Sequence, residues 1–448
     1  MACRLLICVL VASSLLLPHD VYAQGQPYGF PPPVSPGYGP APGAVPPGYG
    51  PLGGQPFPPG TVPGFPPAPA PGYGFGEPPV PGVGYYGPDG IITKRVAEED
   101  HWDENGPIER MLISMARNTW VRVEYLHWTI DEPGFEFLGA PLNVQDPQQF
   151  VVFDPANFPQ QLGTARVPTL DEIGLNDNNG IRLVYGMPLT IGELEFSGFI
   201  LEQAGDSYRA PELPSPGAPS ATLIATPVLT NGGLLNQVFL YDTDYRVDYT
   251  SEFSGAHADV VFDGFGMPGE GLHLRPTLGL RYLNLRERMT QVGVSSAFGT
   301  VSPLVSTIDS EANNHLYGTM LGARLELVHR WFTVGIEPKF GLNLNSYRAS
   351  VATDNLRQLA DPYVETEEDG TIFSMVGQLR AYLRVNLSKN FSVFGGYDWF
   401  YLSDVTRPYD NIYYNDNGLN QLPGIVVDTK HRDMMIHGLM IGGEYHFR

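Results

Sequence analysis

The sequence predicts an all-β chain: a transmembrane, antiparallel, up-and-down β-barrel of about ten strands (ten to twelve), preceded by a disordered Pro/Gly-rich N-terminal segment. Three observations carry that prediction. Apolar and polar residues alternate with a period of two from Trp120 onward, the links between alternating runs are by turns short and long, and the chain opens with an export-type segment. Composition narrows the alternatives. The 448 residues include 52 Gly and 43 Pro, and the net charge is −22. Phosphate binding draws on clustered Lys and Arg that so acidic a chain lacks, so nucleic acid is excluded as a partner.

Arg4 supplies a positive start, residues 5–17 form an apolar run, and Val21-Tyr22-Ala23 ends in a small residue. Residues 1–23 are therefore expected to be a signal peptide cleaved after Ala23. Cys3 and Cys8 both lie inside it, which leaves a mature chain with no disulfide and no thiolate metal site. Beyond it no stretch reaches the roughly 18 apolar residues of a membrane-spanning helix. Residues 24–95 are Pro- and Gly-rich with interspersed Tyr and Phe, and Pro-Gly-Tyr-Gly begins at 36, 47 and 71. With few aliphatic side chains to offset ordering entropy, this segment is expected to be a disordered tether. Its reach is on the order of 45 Å as a coil and roughly 200 Å when extended. A spacer role is expected, with a cell-wall component as the alternative partner. Residues 96–119 hold an acidic stretch (Glu98, Glu99, Asp100, Asp103, Glu104) and then Ile108, Met111, Leu112 and Met115 at the spacing of one short helical face.

Alternating runs follow at 120–128, 180–187, 191–202, 237–262, 273–286, 315–328, 332–344, 372–387, 391–402 and 434–447, which makes ten strands. In the seventh, Phe332, Val334, Ile336, Phe340, Leu342 and Leu344 alternate with Thr333, Gly335, Glu337, Lys339, Gly341 and Asn343. One face is greasy and the other wet. Short links lie at 188–190, 263–272, 329–331 and 388–390, and long ones at 129–179, 203–236, 287–314, 346–371 and 403–433. Tight periplasmic turns alternating with long external loops mark an outer-membrane barrel, and an even strand count puts both ends on the periplasmic side. The presumed external loops collect acidic residues, among them Asp171, Glu172, Asp309, Glu311, Glu367 and Glu368. Hairpins hidden in these loops, for instance near Phe150, would add strands and widen the barrel.

The last strand carries Leu439, Ile441, Tyr445 and Phe447 on one face. It resembles the C-terminal targeting strand of bacterial outer-membrane proteins, which implies the barrel-insertion machinery as a partner and outer-membrane lipid as the surroundings. Truncating Tyr445 to Arg448 is expected to block assembly and leave the protein in the periplasm; normal membrane insertion on fractionation would remove the targeting role. The run Trp120-Val121-Arg122-Val123-Glu124-Tyr125-Leu126-His127-Trp128 is similar to the opening strand of the bacterial beta-barrel porin-7 family, and Gly180-Ile181-Arg182-Leu183 and Gly279-Leu280-Arg281-Tyr282-Leu283 resemble its later blocks. The resemblance covers roughly 120 to 448 and implies an outer-membrane barrel, with no catalytic residue.

Fourteen charges alternate with the apolar face and are expected to line the lumen: Arg122, Glu124, Arg182, Glu193, Glu195, Arg246, Asp248, Arg281, Arg324, Glu326, Glu337, Lys339, Arg380 and Arg384. Their mixed sign fits either a polar channel lining or salt bridges filling a narrow barrel, because about eight strands give an interior filled by side chains. Asp428, His431 and Asp433 are the best acid–base candidates, but such proximity is expected in so acidic a chain. Asn176 to Gly180 and Asn415 to Gly418 suggest Ca²⁺ ligands without the full loop that ion needs, and are equally plain turns. No enzyme activity, metal or cofactor is expected. The expected function is passive passage of small polar solutes; the alternative is a non-conducting structural or adhesive surface barrel anchoring acidic external loops and a periplasmic tether. The oligomeric state stays open.

Overall fold

Backbone groups in lipid have no water to bond, so a membrane-spanning sheet must close on itself. Here the ring closes with ten antiparallel strands: β1 (Trp120–Ile130), β2 (Asn178–Leu189), β3 (Gly192–Leu201), β4 (Asp244–Phe262), β5 (Gly271–Ser295), β6 (Leu304–Val328), β7 (Phe332–Asp354), β8 (Val364–Asn386), β9 (Phe391–Thr406) and β10 (His431–His446). The computed structural model describes residues 119–447 apart from 143, 154–160, 211–221, 266–268, 297–302, 359–360 and 419–420. All of them fall in the second of two structural units, Ile91–Arg448. The expected signal peptide with Ala23, the expected tether, the acidic stretch, the expected short helix and Arg448 lie outside the described residues.

Each strand pairs with its neighbours in sequence, and β10 closes onto β1 in continuous register from Trp120↔His446 to Ile130↔Ile436. The prediction of ten strands in an up-and-down barrel is what the structure shows. Strand lengths differ from the expectation. The segments 287–314 and 346–371, expected to be long loops, are mostly strand, because β5 runs to Ser295, β6 starts at Leu304, β7 ends at Asp354 and β8 begins at Val364.

The polarity of the barrel inverts along its height, and this explains those long strands. On the lower part of β5, Leu274, Leu278, Leu280 and Tyr282 point outward while Thr277 and Arg281 are buried inside. Above Tyr282 the pattern reverses: Leu283, Leu285 and Met289 are buried inside and Arg286 and Arg288 are half exposed outside. A greasy exterior suits hydrocarbon, and a charged exterior with an apolar interior suits water. The apolar band on β7, residues 332–344, covers about 30 Å at about 3.3 Å per residue and a tilt of about 40°. The remaining ten residues of β7 stand above the membrane. Tyr282 with His315 and Tyr397 with His437 mark the boundary, each pair joined by a 2.7 Å Oη to Nδ1 hydrogen bond. Aromatic side chains with one polar end favour that interface.

The long connections build a cap instead of widening the ring. Phe150–Phe153, Gln161–Arg166, Thr222–Thr230, Gly233–Tyr241 and Asn415–Asp416 form a separate five-stranded sheet. Its small core is Ala165, Leu223 and Ala225 under Phe150, Val152, Val238 and Leu240. The hairpin near Phe150 therefore adds no barrel strand. The expected single strand at 237–262 is two, with Gly233–Tyr241 in the cap and β4 in the barrel; Ala204–Arg209 prolongs the line of β3 along upper β4.

Candidate functional site

Side chains on alternate positions of all ten strands converge on the lumen, and in the membrane half they are charged. Glu124 of β1 accepts hydrogen bonds from Arg122 Nε at 2.5 Å and Arg182 Nη1 at 3.1 Å. Arg182 also lies 2.6 Å from Asp398 Oδ2, whose other oxygen accepts Arg380 Nε at 3.0 Å. Arg324 grips Glu195 with two 2.7 Å bonds and reaches Glu337 at 3.1 Å. Lys339 Nζ sits between Asp259 at 2.6 Å and Glu337 at 2.9 Å. Glu444 of the last strand takes Arg122 at 3.1 Å and Arg384 at 3.2 Å, while Arg281 donates to Gln378. Charges withdrawn from water persist most readily when paired, and apart from Arg281, which donates to the neutral Gln378 amide, each of these groups has an opposite charge within reach. Glu124 and Asp398 are 0% exposed and Arg182 is 1% exposed, so these side chains fill the cross-section.

Directly above lies an aromatic layer. Trp128, Phe199, Phe253 and Phe400 come from β1, β3, β4 and β9, and their rings meet with centroids 5.2 to 6.4 Å apart. Arg182 lies 5.1 Å from the Trp128 ring and Arg281 5.5 Å from that of Phe400, a cation–π junction between the two layers.

The external half is closed by a strap. The register of β9 slips between Leu402 and Val405, where Asp404 adopts φ 53°, and residues 403–416 turn into the barrel, where most are buried. Inward side chains of β6, β7 and β8 catch its backbone: Ser310 Oγ donates to Pro408 O at 2.7 Å, Asn314 Nδ2 to Thr406 O at 2.9 Å, Asn345 Nδ2 to Asp404 O at 3.0 Å, and Ser374 Oγ to Ser403 O. Arg407 forks onto Glu287 with bonds of 3.0 and 2.9 Å and donates to Asp131 O at 2.9 Å. Burial opposes its charge, but Glu287 holds the Arg407 guanidinium well above its usual value. Burial pushes the Tyr409 hydroxyl, next along the strap, up to about 12. Both groups keep their ordinary charge state across the physiological range.

Residues 120–447 match the model of the beta barrel porin-7 family. The chain belongs to that family. Among solved structures, the outer-membrane protease OmpT of Escherichia coli is similar at 8% identity and TM-score 0.39, over 74% of this chain and 97% of that one. A Pseudomonas aeruginosa FadL homologue is similar at 9% identity and TM-score 0.20, over 74% and 90%. No curated protein sequence matches the chain.

Twelve of the fourteen predicted lumen residues of this porin-7 barrel face inward: Arg122, Glu124, Arg182, Glu193, Glu195, Arg281, Arg324, Glu326, Glu337, Lys339, Arg380 and Arg384. Arg246 and Asp248 do not. They pair with each other at 2.8 Å on the outer wall, while Tyr245, Val247 and Tyr249 point inside. Both lie above the membrane, in the part of β4 where inside and outside have exchanged polarity. Sequence reasoning missed Asp259, Asp398, Glu444, Glu287 and Arg407. Glu444 was accessible in principle, since it alternates with the outward Leu439, Ile441, Tyr445 and Phe447, which are 46 to 60% exposed.

The acid–base candidates have separate partners. His431 stacks edge-on against Tyr347 at 4.9 Å, Asp433 accepts Tyr401 Oη at 2.6 Å, and the Asp428 amide donates to Asn411 O. In the turn at Asn415, Asp416 Oδ1 is taken by Arg357 at 3.0 Å and the Gly418 amide at 2.9 Å; in the other, Asn178 Nδ2 bonds Leu175 O at 2.9 Å. No cluster of metal-ligand residues occurs among the described residues.

Proposed function

We propose that this outer-membrane barrel is a non-conducting surface anchor, which holds its external cap outside the cell and its N-terminal segment on the periplasmic side. The observation that supports this reading over passive solute passage is the filled lumen. Three successive barriers, the charge network, the aromatic layer and the strap latched by Arg407 to Glu287, lie in series along the axis. A hydrated ion would have to displace paired charges such as Glu124, Arg182 and Asp398, which are 0 to 1% exposed, and then cross packed rings. Ten strands also lie close to the width at which side chains fill a barrel, well short of the 16 or more of open porins.

The test is conductance of the detergent-purified mature protein in a planar bilayer, with Arg122, Arg281, Arg324 and Arg380 each changed to Gln in parallel. Stable insertion without current is the expected result. Stepwise currents whose ion selectivity changes with those substitutions would establish a pore and overturn the anchor reading.

A further inference from the structure

The charge network holds a lysine among arginines. Of the lysines among the described residues, Lys389 and Lys430 are exposed, whereas the Lys339 side chain is 3% exposed. The other buried cations in the membrane half of the lumen, Arg122, Arg182, Arg281, Arg324 and Arg380, are guanidinium groups. A guanidinium keeps its proton and is a poor nucleophile, but a buried lysine amine can give its proton up and then attack a carbonyl carbon.

The amine is held against two carboxylates. Lys339 Nζ lies 2.6 Å from Asp259 Oδ2 and 2.9 Å from Glu337 Oε1, and these acids are 1% and 2% exposed. Asp259 is on β4 and Lys339 on β7, with β5 and β6 between them in the ring, so the two side chains meet only if the intervening wall leaves room. Two glycines leave it. Gly279 on β5 stands beside Asp259, and a Cβ there would overlap the carboxylate. Gly322 on β6 stands beside Lys339, and a Cβ there would lie 2.7 Å from the lysine Cγ. Arg324 Nη2, at 3.1 Å, fixes the same Glu337 oxygen that faces the amine.

We propose that Lys339 and Asp259 condense to an intramolecular amide, an isopeptide strut between β4 and β7, with Glu337 as the proton carrier. Burial disfavours the charged forms of a pair, and one proton passing from Nζ to Asp259 Oδ2 leaves an amine facing a carboxylic acid. The Nζ lone pair then attacks Asp259 Cγ. Glu337 takes a proton from Nζ and hands it to the departing hydroxyl, which leaves as water. The Nζ–Cγ bond forms, the Cγ–Oδ2 bond breaks, and Glu337 ends as the carboxylate it began. Reactants held in contact have effective concentrations of about 10⁵ to 10⁸ M, which favours condensation over the hydrolysis that prevails between separate molecules in water. One charge of each sign is lost, so the balance of the remaining network is unchanged. The strut joins residues 80 apart in sequence, on strands that do not pair with each other. It stands or falls independently of whether the lumen conducts.

The experiment is tandem mass spectrometry of tryptic peptides from the assembled, detergent-purified full mature chain. The peptides carrying Asp259 and Lys339 are expected as one joined species, lighter than their sum by one water, with fragment ions placing the link at these two residues. The same chain dissolved in denaturant before folding should give the two peptides apart. Lys339→Arg, which keeps the cation, should assemble without the link. Glu337→Gln should slow appearance of the link during folding by about a hundredfold. If Glu337→Gln fails to assemble, Gly279→Ala, which crowds the Asp259 carboxylate, carries the comparison and should likewise reduce the linked fraction. Separate, unmodified peptides from the assembled wild-type chain, or a link already present before folding, would overturn the proposal. An unchanged rate in Glu337→Gln would overturn its part as proton carrier.

Discussion

Leu321→Arg is expected to destabilise the inserted barrel by about 2 to 4 kcal/mol, the cost of a cation on the lipid face near the bilayer midplane. Leu321 is 60% exposed and stands near the middle of the outward row of Leu325, Ala323, Leu321, Thr319 and Tyr317 on β6. Thr307 lies on the same face of the same strand, but beyond the Tyr282 and His315 boundary, among Arg288, Asp309 and Glu311. Thr307→Arg should therefore change stability by no more than about 0.5 kcal/mol, as for ordinary surface substitutions. Equilibrium urea unfolding in lipid vesicles measures both. Similar costs at the two positions would mean that the upper part of β6 is also in lipid, and would remove the inversion of polarity on which the height of the barrel rests.

The second large effect is expected at Asp398, which is 0% exposed and sits between Arg182 at 2.6 Å and Arg380 at 3.0 Å. Asp398→Leu leaves two guanidinium groups short of an acceptor in a dry interior. Breaking a buried pair in this way costs about 3 to 5 kcal/mol, mostly because the abandoned charge stays buried. Adding Arg182→Met should recover part of the loss, since it removes one of the stranded charges. A double variant less stable than Asp398→Leu by the full cost of a second core substitution would show that Asp398 does not hold Arg182 in place. The same unfolding measurement decides it.

The membrane half of the barrel was legible because lipid outside and charge inside leave a strict alternation along each strand. Phe332 to Leu344 against Thr333 to Asn343 is the plainest case. The external half was not legible by the same rule. In 287–314 and 346–371 the alternation persists with its faces exchanged, so Arg288 and Glu311 outside, with Met289 and Ala312 inside, suggest loops to an expectation tuned to greasy exteriors. That exchange also misplaced Arg246 and Asp248. Asp398 escaped notice for a different reason: Tyr397 and Trp399 on one face and Phe400 on the other make its strand aromatic on both sides. The strap was hidden because nothing local in 403–416 distinguishes a loop in water from one folded into a lumen.

By itself the sequence determined the period of two, the ten spans, the alternation of short and long links, and hence a closed up-and-down ring with its polar face inward. These follow from neighbours along the chain and from the solvent on each face. Whether the ring holds a passage was decided only by the tertiary structure. The contacts that fill it join distant parts of the chain, as when Arg122 meets Glu444 across 322 residues, or Arg407 meets Glu287 across 120. Such pairs depend on the height and side at which ten tilted strands deliver each side chain, and on β9 turning inward at Asp404. Alternation along one strand says which residues face the lumen. It carries no information about which of them meet there.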